Sequence, residues 1–383
     1  MNISEREVER RHERLRDAMR RAGVPTVVAF SRSFFDRPGP VGYLTGYLPS
    51  FPSSADAPGV RGLGQAALVM PAEDRPVLIA DGFARGYQSP FVRVAAADDV
   101  AAGVATELRS ADKSPSECGL VGGDIVPHAL FAAIAAAVPG TAWRDFDEEF
   151  TEIRRRKSPE ELAGLRHAAE VARIGFEAAI EAIRPGATER DVCAAGTAAA
   201  LRAGTDFVRY LRVHAGQQSA GGSRWPPATD VVIQAGDLVT MDLVGAAEGY
   251  GFDLLRTAAV GRSSEDALQL LRDEHTVEQA ALGALRAGQT VEGLIETIRA
   301  AAAGTRSAAY LSSFYGHGIG LETLERPYLI PGQSGALHAG DVLCIEPGLF
   351  RSGFGGAVVE DEVVVTDGGC ELLSPYLRQP IVV

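Results

Sequence analysis

Two carboxylates sit inside apolar runs that read as copies of one another. Residues 235–245 read AGDLVTMDLVG and residues 339–349 read AGDVLCIEPGL. In each, a Gly-Asp pair opens a strand-like run and a second acid follows five residues after that Asp, as Asp242 and as Glu346. A turn signal and another acid-bearing strand come next, with Asp253 in FDLLRTAAV and Glu360 in AVVEDEVVVT. A hairpin over the first pair would set Asp242 and Asp253 directly opposite each other on one face. The even separation of Glu346 and Glu360 lets them face one another across a wider loop. Like charges roughly 5 Å apart repel, so such pairs persist when one acid is protonated or a cation lies between them. His317, in FYGHGIGLE between the two copies, adds an imidazole flanked by glycines that allow close backbone approach. Four carboxylates and one imidazole carry more negative charge than one divalent ion neutralises. The set predicts two ions about 3.5–4 Å apart, able to activate a water and polarise a carbonyl. The imidazole favours manganese, iron, cobalt or zinc over calcium, with manganese the first expectation. Any one of these acids alone would be an ordinary strand carboxylate; their symmetric placement carries the reading.

The elements that must hold this set also repeat. IRPGATERDV (183–192) resembles LRAGQTVEGL (285–294), each ending one helix and capping the next with Thr188 or Thr290. The helix echo has an offset of 102 residues and the Gly-Asp echo one of 104, in the same order. Helix, helix, acid-bearing strand, twice over, implies an internal duplication. Ahead of it, Ser158-Pro-Glu-Glu is a strong helix start, and that helix runs to about Ile183, with a second from about Glu189 to Gly204. The texture changes near Phe150, which divides the chain into an α/β domain over 1–150 and a second domain over 151–383. In the first, the pattern predicts a helix over 5–23, a buried strand over 25–30, paired strands over 66–70 and 75–81, and helices over 95–110 and 128–138. The Pro/Gly/Ser-rich segment 35–64 reads as a long ordered loop.

Composition narrows the partners. The 383 residues are 46% hydrophobic, enough for two cores, and contain no apolar run long enough to span a membrane. A formal charge of -13 argues against nucleic acid. Four cysteines without CxxC spacing, and a charged N-terminus unlike a signal peptide, point to the cytoplasm.

At these residues the sequence resembles the M24 metallopeptidases with the pita-bread fold, the group of methionine aminopeptidase, Xaa-Pro aminopeptidase and prolidase. GDLVTMD, GYGFDLLRT, GHGIGLE, IEPG and VVEDEVVVT match five metal-bearing motifs in order. YLTG at 43–46 is similar to the creatinase-type N-terminal domain of the prolidase branch, and KSPEELAGLRHAAEVA (157–172) to its linker helix. The resemblance implies an α/β (α+β) fold, with a creatinase-like domain and a pita-bread domain of internal pseudo-twofold duplication. It implies the metal ligands Asp242, Asp253, His317, Glu346 and Glu360, with Glu346 also shuttling a proton, and a homodimer acting on a small molecule or short peptide.

Around those five residues the chain departs from the family. Family histidines are replaced by Trp225, seventeen residues before Asp242, and by Leu324, seven after His317. Ser313 stands where Xaa-Pro aminopeptidases can carry another histidine; Val358 replaces a common arginine and Leu255 a usual threonine. An intact metal set under an apolar pocket of Trp225, Leu255, Leu324, Val358 and Ser313 is the expectation, with Trp225 free to stack on a ring-shaped group. Each general acid–base group contributes about 10²–10⁴-fold, so these losses set a specialised non-peptidase metalloenzyme beside the peptidase as an alternative, and a metal-free binding module behind both. His214, in RVHAGQQ, lies on the substrate side in family terms and can stand in for a lost base; a surface or packing role is the commoner reading. His12, His128, His167, His275 and His338 lack an acid partner in spacing and read as structural or surface residues.

Overall fold

Both Gly-Asp turns open strands, and they do so with the same hydrogen bonds. Gly236 and Gly340 take left-handed φ of 97° and 90°, which glycine adopts without a Cβ penalty. Their N–H groups donate to Val260 O at 2.7 Å and Val365 O at 2.9 Å. The Asp237 and Asp341 carboxylates accept the N–H groups of Gln234 and His338, both at 2.8 Å. Upstream, Thr188 and Thr290 are the N-caps they were expected to be, their side chains accepting from Asp191 N–H and Gly293 N–H. The duplication is therefore present in backbone geometry as well as in letters.

The computed structural model describes residues 3–57, 60–110, 115–221, 224–373, 375–376 and 380–383. It divides into two compact units, Met1–Arg154 and Arg155–Val383. The first unit contains α1 (Glu5–Ala22), β1 (Thr26–Arg32), α2 (Gly39–Thr45), β2 (Ala55–Ala57), β3 (Val60–Leu63), β4 (Gln65–Pro71) and β5 (Val77–Ala80). It continues through β6 (Arg93–Ala96), α3 (Val100–Ser110), β7 (Glu117–Val121), α4 (His128–Ala137), β8 (Ala142–Asp145) and α5 (Asp147–Arg155). Six strands form one mixed sheet in the order β6-β5-β4-β1-β7-β8. β1 is buried over Thr26–Ser31, as a central strand covered on both faces must be. Its core gathers Val28, Phe30, Ile79, Val104, Leu130 and Ile134.

Two expectations for this unit fail. The 35–64 segment is not a plain loop: Gly39–Thr45 is a short helix and β2–β3 a small hairpin, whose tip residues 58–59 lie outside the described residues. The helix placed over 95–110 starts only at Val100, because Arg93–Ala96 pairs in parallel with β5. A four-residue strand feeding straight into a helix leaves too little alternation to separate the two.

The second unit opens with α6 (Pro159–Ala182), begun by a full capping box of Ser158 and Glu161, and α7 (Glu189–Ala203), ended by left-handed Gly204. Then come β9 (Phe207–Ala215), β10 (Leu238–Ala247), β11 (Tyr250–Ala259), α8 (Glu265–Ala284), α9 (Val291–Ala303), β12 (Gly316–Gly318) and β13 (Glu325–Tyr328). β14 (Val342–Ile345), β15 (Leu349–Arg351), β16 (Gly355–Ala357), β17 (Asp361–Val365), β18 (Cys370–Leu372) and β19 (Ile381–Val382) complete it. One sheet runs β19-β11-β10-β9 and the other β13-β12-β14-β17-β18. Each half thus supplies a helix pair, a hairpin and a third antiparallel strand beside it. The halves join where Leu255 of β11 bridges Glu360, whose N–H donates to Leu255 O at 2.8 Å. Beside that bridge Thr257 Oγ1 both donates to Val358 O at 3.0 Å and accepts Val358 N–H at 2.9 Å. That junction brings acids from two hairpins to one place.

Candidate metal centre

The strand registers decide which acids meet. In the β10–β11 hairpin Asp242 pairs with Leu255 and Val244 with Asp253, so the two aspartates are diagonal neighbours on one face, not directly opposite as expected. The hairpin turn at Glu248 and Gly249, with φ of 51° and 84°, sets this register. In the second hairpin β14 and β17 pair up to Ile345 and Asp361, leaving Glu346 and Glu360 next to each other at the end of that ladder. β12 places His317 opposite Cys344. His317 Nε2 then lies 3.7 Å from Asp253, 3.5 Å from Glu346 and 3.6 Å from Glu360. Ligand atoms of Asp242, Asp253 and Glu360 lie within 4.8 Å of one another. The five residues expected to converge do so.

The chemistry of this arrangement fits divalent cations. His317 Nδ1 faces Gly318 O at 2.9 Å, and a carbonyl only accepts, so the ring proton sits there. Nε2 is thereby turned toward the carboxylate oxygens, the orientation of a ring that can share a cation with them. Asp242 Oδ1 and Glu360 Oε1 are buried with no hydrogen-bond partner among the described residues. Burial first, and then the Glu360 charge, push Asp242 up to about 7, against the pull of Arg212. The same two causes hold Asp253 and Glu346 well above the usual carboxylate range. An oxygen-rich set with one imidazole suits manganese, iron, cobalt or zinc.

A cavity of about 340 Å³ opens over these acids. Leu255, Leu324 and Val358 line it, as expected of them, and His214 lines it too. Trp225 and Ser313 do not. Trp225 is 79% exposed and lies on a neighbouring depression. Ser313 is exposed while its neighbours Ser312 and Phe314 face the cavity. His214 is not a surface residue: it is 3% exposed and forms part of the cavity wall. His275 has an acid within reach after all, Glu278 at 3.7 Å.

Apart from His214, which the sequence reading named, several contributors escaped it. Tyr210, Arg212 and His214 alternate along β9 and register against Val244, Asp242 and Thr240, which puts all three on the acid-bearing face. Arg212 Nη1 donates to Asp242 Oδ2 at 2.8 Å, and its guanidinium lies 3.8 Å from the centre of the Tyr210 ring. The period-two pattern in RYLRVHA was the available signal. Glu362 accepts Asp253 N–H at 2.8 Å and is pushed up to about 8 by burial, and the buried Cys344 thiol sits beside His317 and Glu360. Arg256 pairs with Asp361 at 2.6 Å, both fully buried, fixing β11 against β17 just below the acids.

Comparison with known proteins places this geometry in context. The family model for metallopeptidase family M24 matches residues 163–367, the span that holds all four acids and the imidazole. Among curated relatives, an Xaa-Pro dipeptidase of Lactobacillus delbrueckii subsp. lactis is 32% identical over 244 residues, 63% of this chain and 66% of that one. The probable dipeptidase PepE of Mycobacterium tuberculosis is 32% identical over 232 residues, 60% of this chain and 61% of that one. The matches thus span just under two thirds of these relatives' lengths. Among solved structures, dipeptidase PepE of Mycobacterium ulcerans superposes with a TM-score of 0.84 at 26% identity, covering 100% of both chains. The X-Pro aminopeptidase of Thermotoga maritima gives 0.84 at 23% identity, covering 97% of this chain and 99% of that one. The expected architecture, a creatinase-like domain followed by a duplicated pita-bread domain, stands.

Proposed function

The chain belongs to metallopeptidase family M24, and from that premise we propose that it is a divalent-metal-dependent peptidase cleaving a peptide or amide bond of a small substrate, in the manner of Xaa-Pro dipeptidases. The observation that carries this reading is the convergence of Asp242, Asp253, His317, Glu346 and Glu360 from both halves of the matched region. We assign these five as holders of two ions, manganese first. Ions bound there would supply the positive charge that polarises a carbonyl and eases the loss of a proton from water.

The chain's own residues have separable tasks. Asp242, Asp253 and Glu360 hold the positive charge, and Arg212 fixes the orientation of Asp242 through its hydrogen bond. His317 presents Nε2 because Nδ1 is committed to Gly318 O. Glu346, the most exposed of the five at 19%, is placed to take up and hand on a proton at its carboxylate. Leu255, Leu324, Phe314, Phe350 and Val358 line the cavity and favour apolar substrate side chains while excluding water. The names of the relatives favour peptides over the specialised non-peptidase alternative, and the buried acids argue against a metal-free binding module.

A cytoplasmic homodimer belongs to the same reading. Its support is the family resemblance and four cysteines that are all free; no helix among the described residues is long and apolar enough to cross a membrane. Elemental analysis of protein purified without added metal, followed by a panel of prolyl and non-prolyl dipeptides, tests the function. Metal-dependent release of the N-terminal amino acid, lost on chelation and restored by manganese, is expected. Two bound equivalents with no dipeptide cleaved would overturn peptidase action.

A further inference from the structure

His214 is a titratable cavity-wall group whose chemistry the proposed function leaves unused. It is 3% exposed, and its Nε2 has no hydrogen-bond partner among the described residues. Its other ring nitrogen bonds the backbone of Pro226, which has no N–H and offers only a carbonyl. Nδ1 therefore carries the proton, and Nε2 keeps a lone pair at the wall of the cavity. Burial holds the ring below its ordinary value of 6.5, so it stays neutral near pH 7. A buried acceptor without a donor is an expense the fold does not need for packing, since an apolar ring of the same size would fill the space.

The surroundings select the donor. On β9, His214 lies two residues, one same-side step of about 7 Å, from Arg212, which pairs with Asp242. The charged groups that act on the ring are Glu189, Arg224 and Arg212. Glu189 is already engaged by Ala215 N–H at 2.9 Å, Thr229 N–H at 3.0 Å and the Thr229 hydroxyl at 2.7 Å. With the four cavity carboxylates balanced by the two divalent ions assigned to them, the charges left around Nε2 are two guanidiniums and one committed carboxylate, which disfavour a further cation there. An unblocked dipeptide with apolar side chains has two kinds of N–H donor: its ammonium and its single peptide N–H. The first is excluded by charge, which leaves the second.

We propose that His214 is a specificity-determining residue that accepts a hydrogen bond at Nε2 from the peptide N–H of the substrate. Dipeptides whose scissile bond carries an N–H are therefore preferred to prolyl ones, whose bond has none. This inference rests on the proposed peptidase function and narrows its substrate class.

The test compares Leu-Ala with its analogue methylated at the peptide nitrogen, on wild type, His214→Phe and His214→Gln, with bound metal measured in each. The kcat/KM for Leu-Ala is expected to fall roughly 5- to 30-fold in His214→Phe, mainly through KM, and to recover in large part in His214→Gln, whose amide oxygen can accept. The methylated peptide is expected to respond to neither substitution, and metal content to stay constant. Equal losses for both peptides, no loss for either, or a loss that tracks metal content would overturn the proposal. If wild type cleaves neither peptide, the peptidase reading fails by itself. Calorimetric dissociation constants of the two peptides then decide the matter for His214, and equal values, or no binding, overturn it.

Discussion

At the scale of residues, the site is a store of unfavourable charge. Asp242, Asp253 and Glu346 are all pushed up by burial and then by neighbouring carboxylates. A raised acid holds protons in the folded state that the unfolded chain has already released, so stability falls as pH rises through the interval between the two values. For Asp242 the interval runs from 3.8 to about 7. Below it both states are protonated and nothing is lost; above it the whole penalty is present. The metal-free protein is therefore expected to lose on the order of 5 °C in thermal midpoint between about pH 5 and about pH 8. Manganese added at the higher pH should restore it. Differential scanning calorimetry on chelated and reloaded protein checks this, and a midpoint of the metal-free form that does not fall would show that protein groups already neutralise the acids.

Among the elements, the helix pair behind the first hairpin is held by absent side chains. Gly175 of α6 and Gly196 of α7 meet, and a Cβ on Gly196 would stand 2.9 Å from Gly175 O, 2.5 Å from Leu211 Cδ2 and 3.0 Å from Ala179 Cβ. Leu211 belongs to β9, the strand of Arg212 and His214, so this close approach also seats the site strand. Gly196→Ala is expected to destabilise by about 1–3 kcal/mol, because overpacking exceeds the gain in helix propensity. Gly283→Ala in α8 is the control: its Cβ would meet nothing within 4 Å, and a gain of about 0.5–1 kcal/mol is expected. Urea unfolding of both variants reads the difference, and like signs would refute the packing account.

For the whole molecule, the decisive fact is that the five site residues come from both halves of the second unit. Asp242 and Asp253 belong to the β10–β11 hairpin; His317, Glu346 and Glu360 belong to the second half. Neither half has a complete site, so ions held by the five residues would tie the halves together. Saturating manganese, at about a hundredfold over Kd, is worth about 2.7 kcal/mol to the folded state. Hydrogen exchange is expected to slow in β10, β11, β14 and β17 together on manganese addition. In β1, β4 and β7 of the first unit, which carry none of the five residues, the rates should stay as they were. Protection confined to one hairpin would mean that the ions bind to half a site.

Much of this was legible in the letters. The two Gly-Asp echoes, the Thr188 and Thr290 caps and the acids at fixed steps after each turn carried the duplication and the candidate ligand set, because turns, caps and strand alternation are local. Local signals also supplied the helix starting at Ser158. What the letters left open depends on partners distant in the chain. Whether Asp253 stands opposite Asp242 or two pairs along is set by a turn register that moving the turn by a single residue would shift. That Arg212 and His214 face the acids depends on which strand lies beside β10, and that Trp225 lies outside the cavity depends on the path of the chain between strands. The sequence by itself determined which acids and which imidazole are candidates for the chemistry. Only the tertiary structure decided which of them share a space, since distance between side chains is a property of strand pairing across tens of residues and not of spacing along the chain.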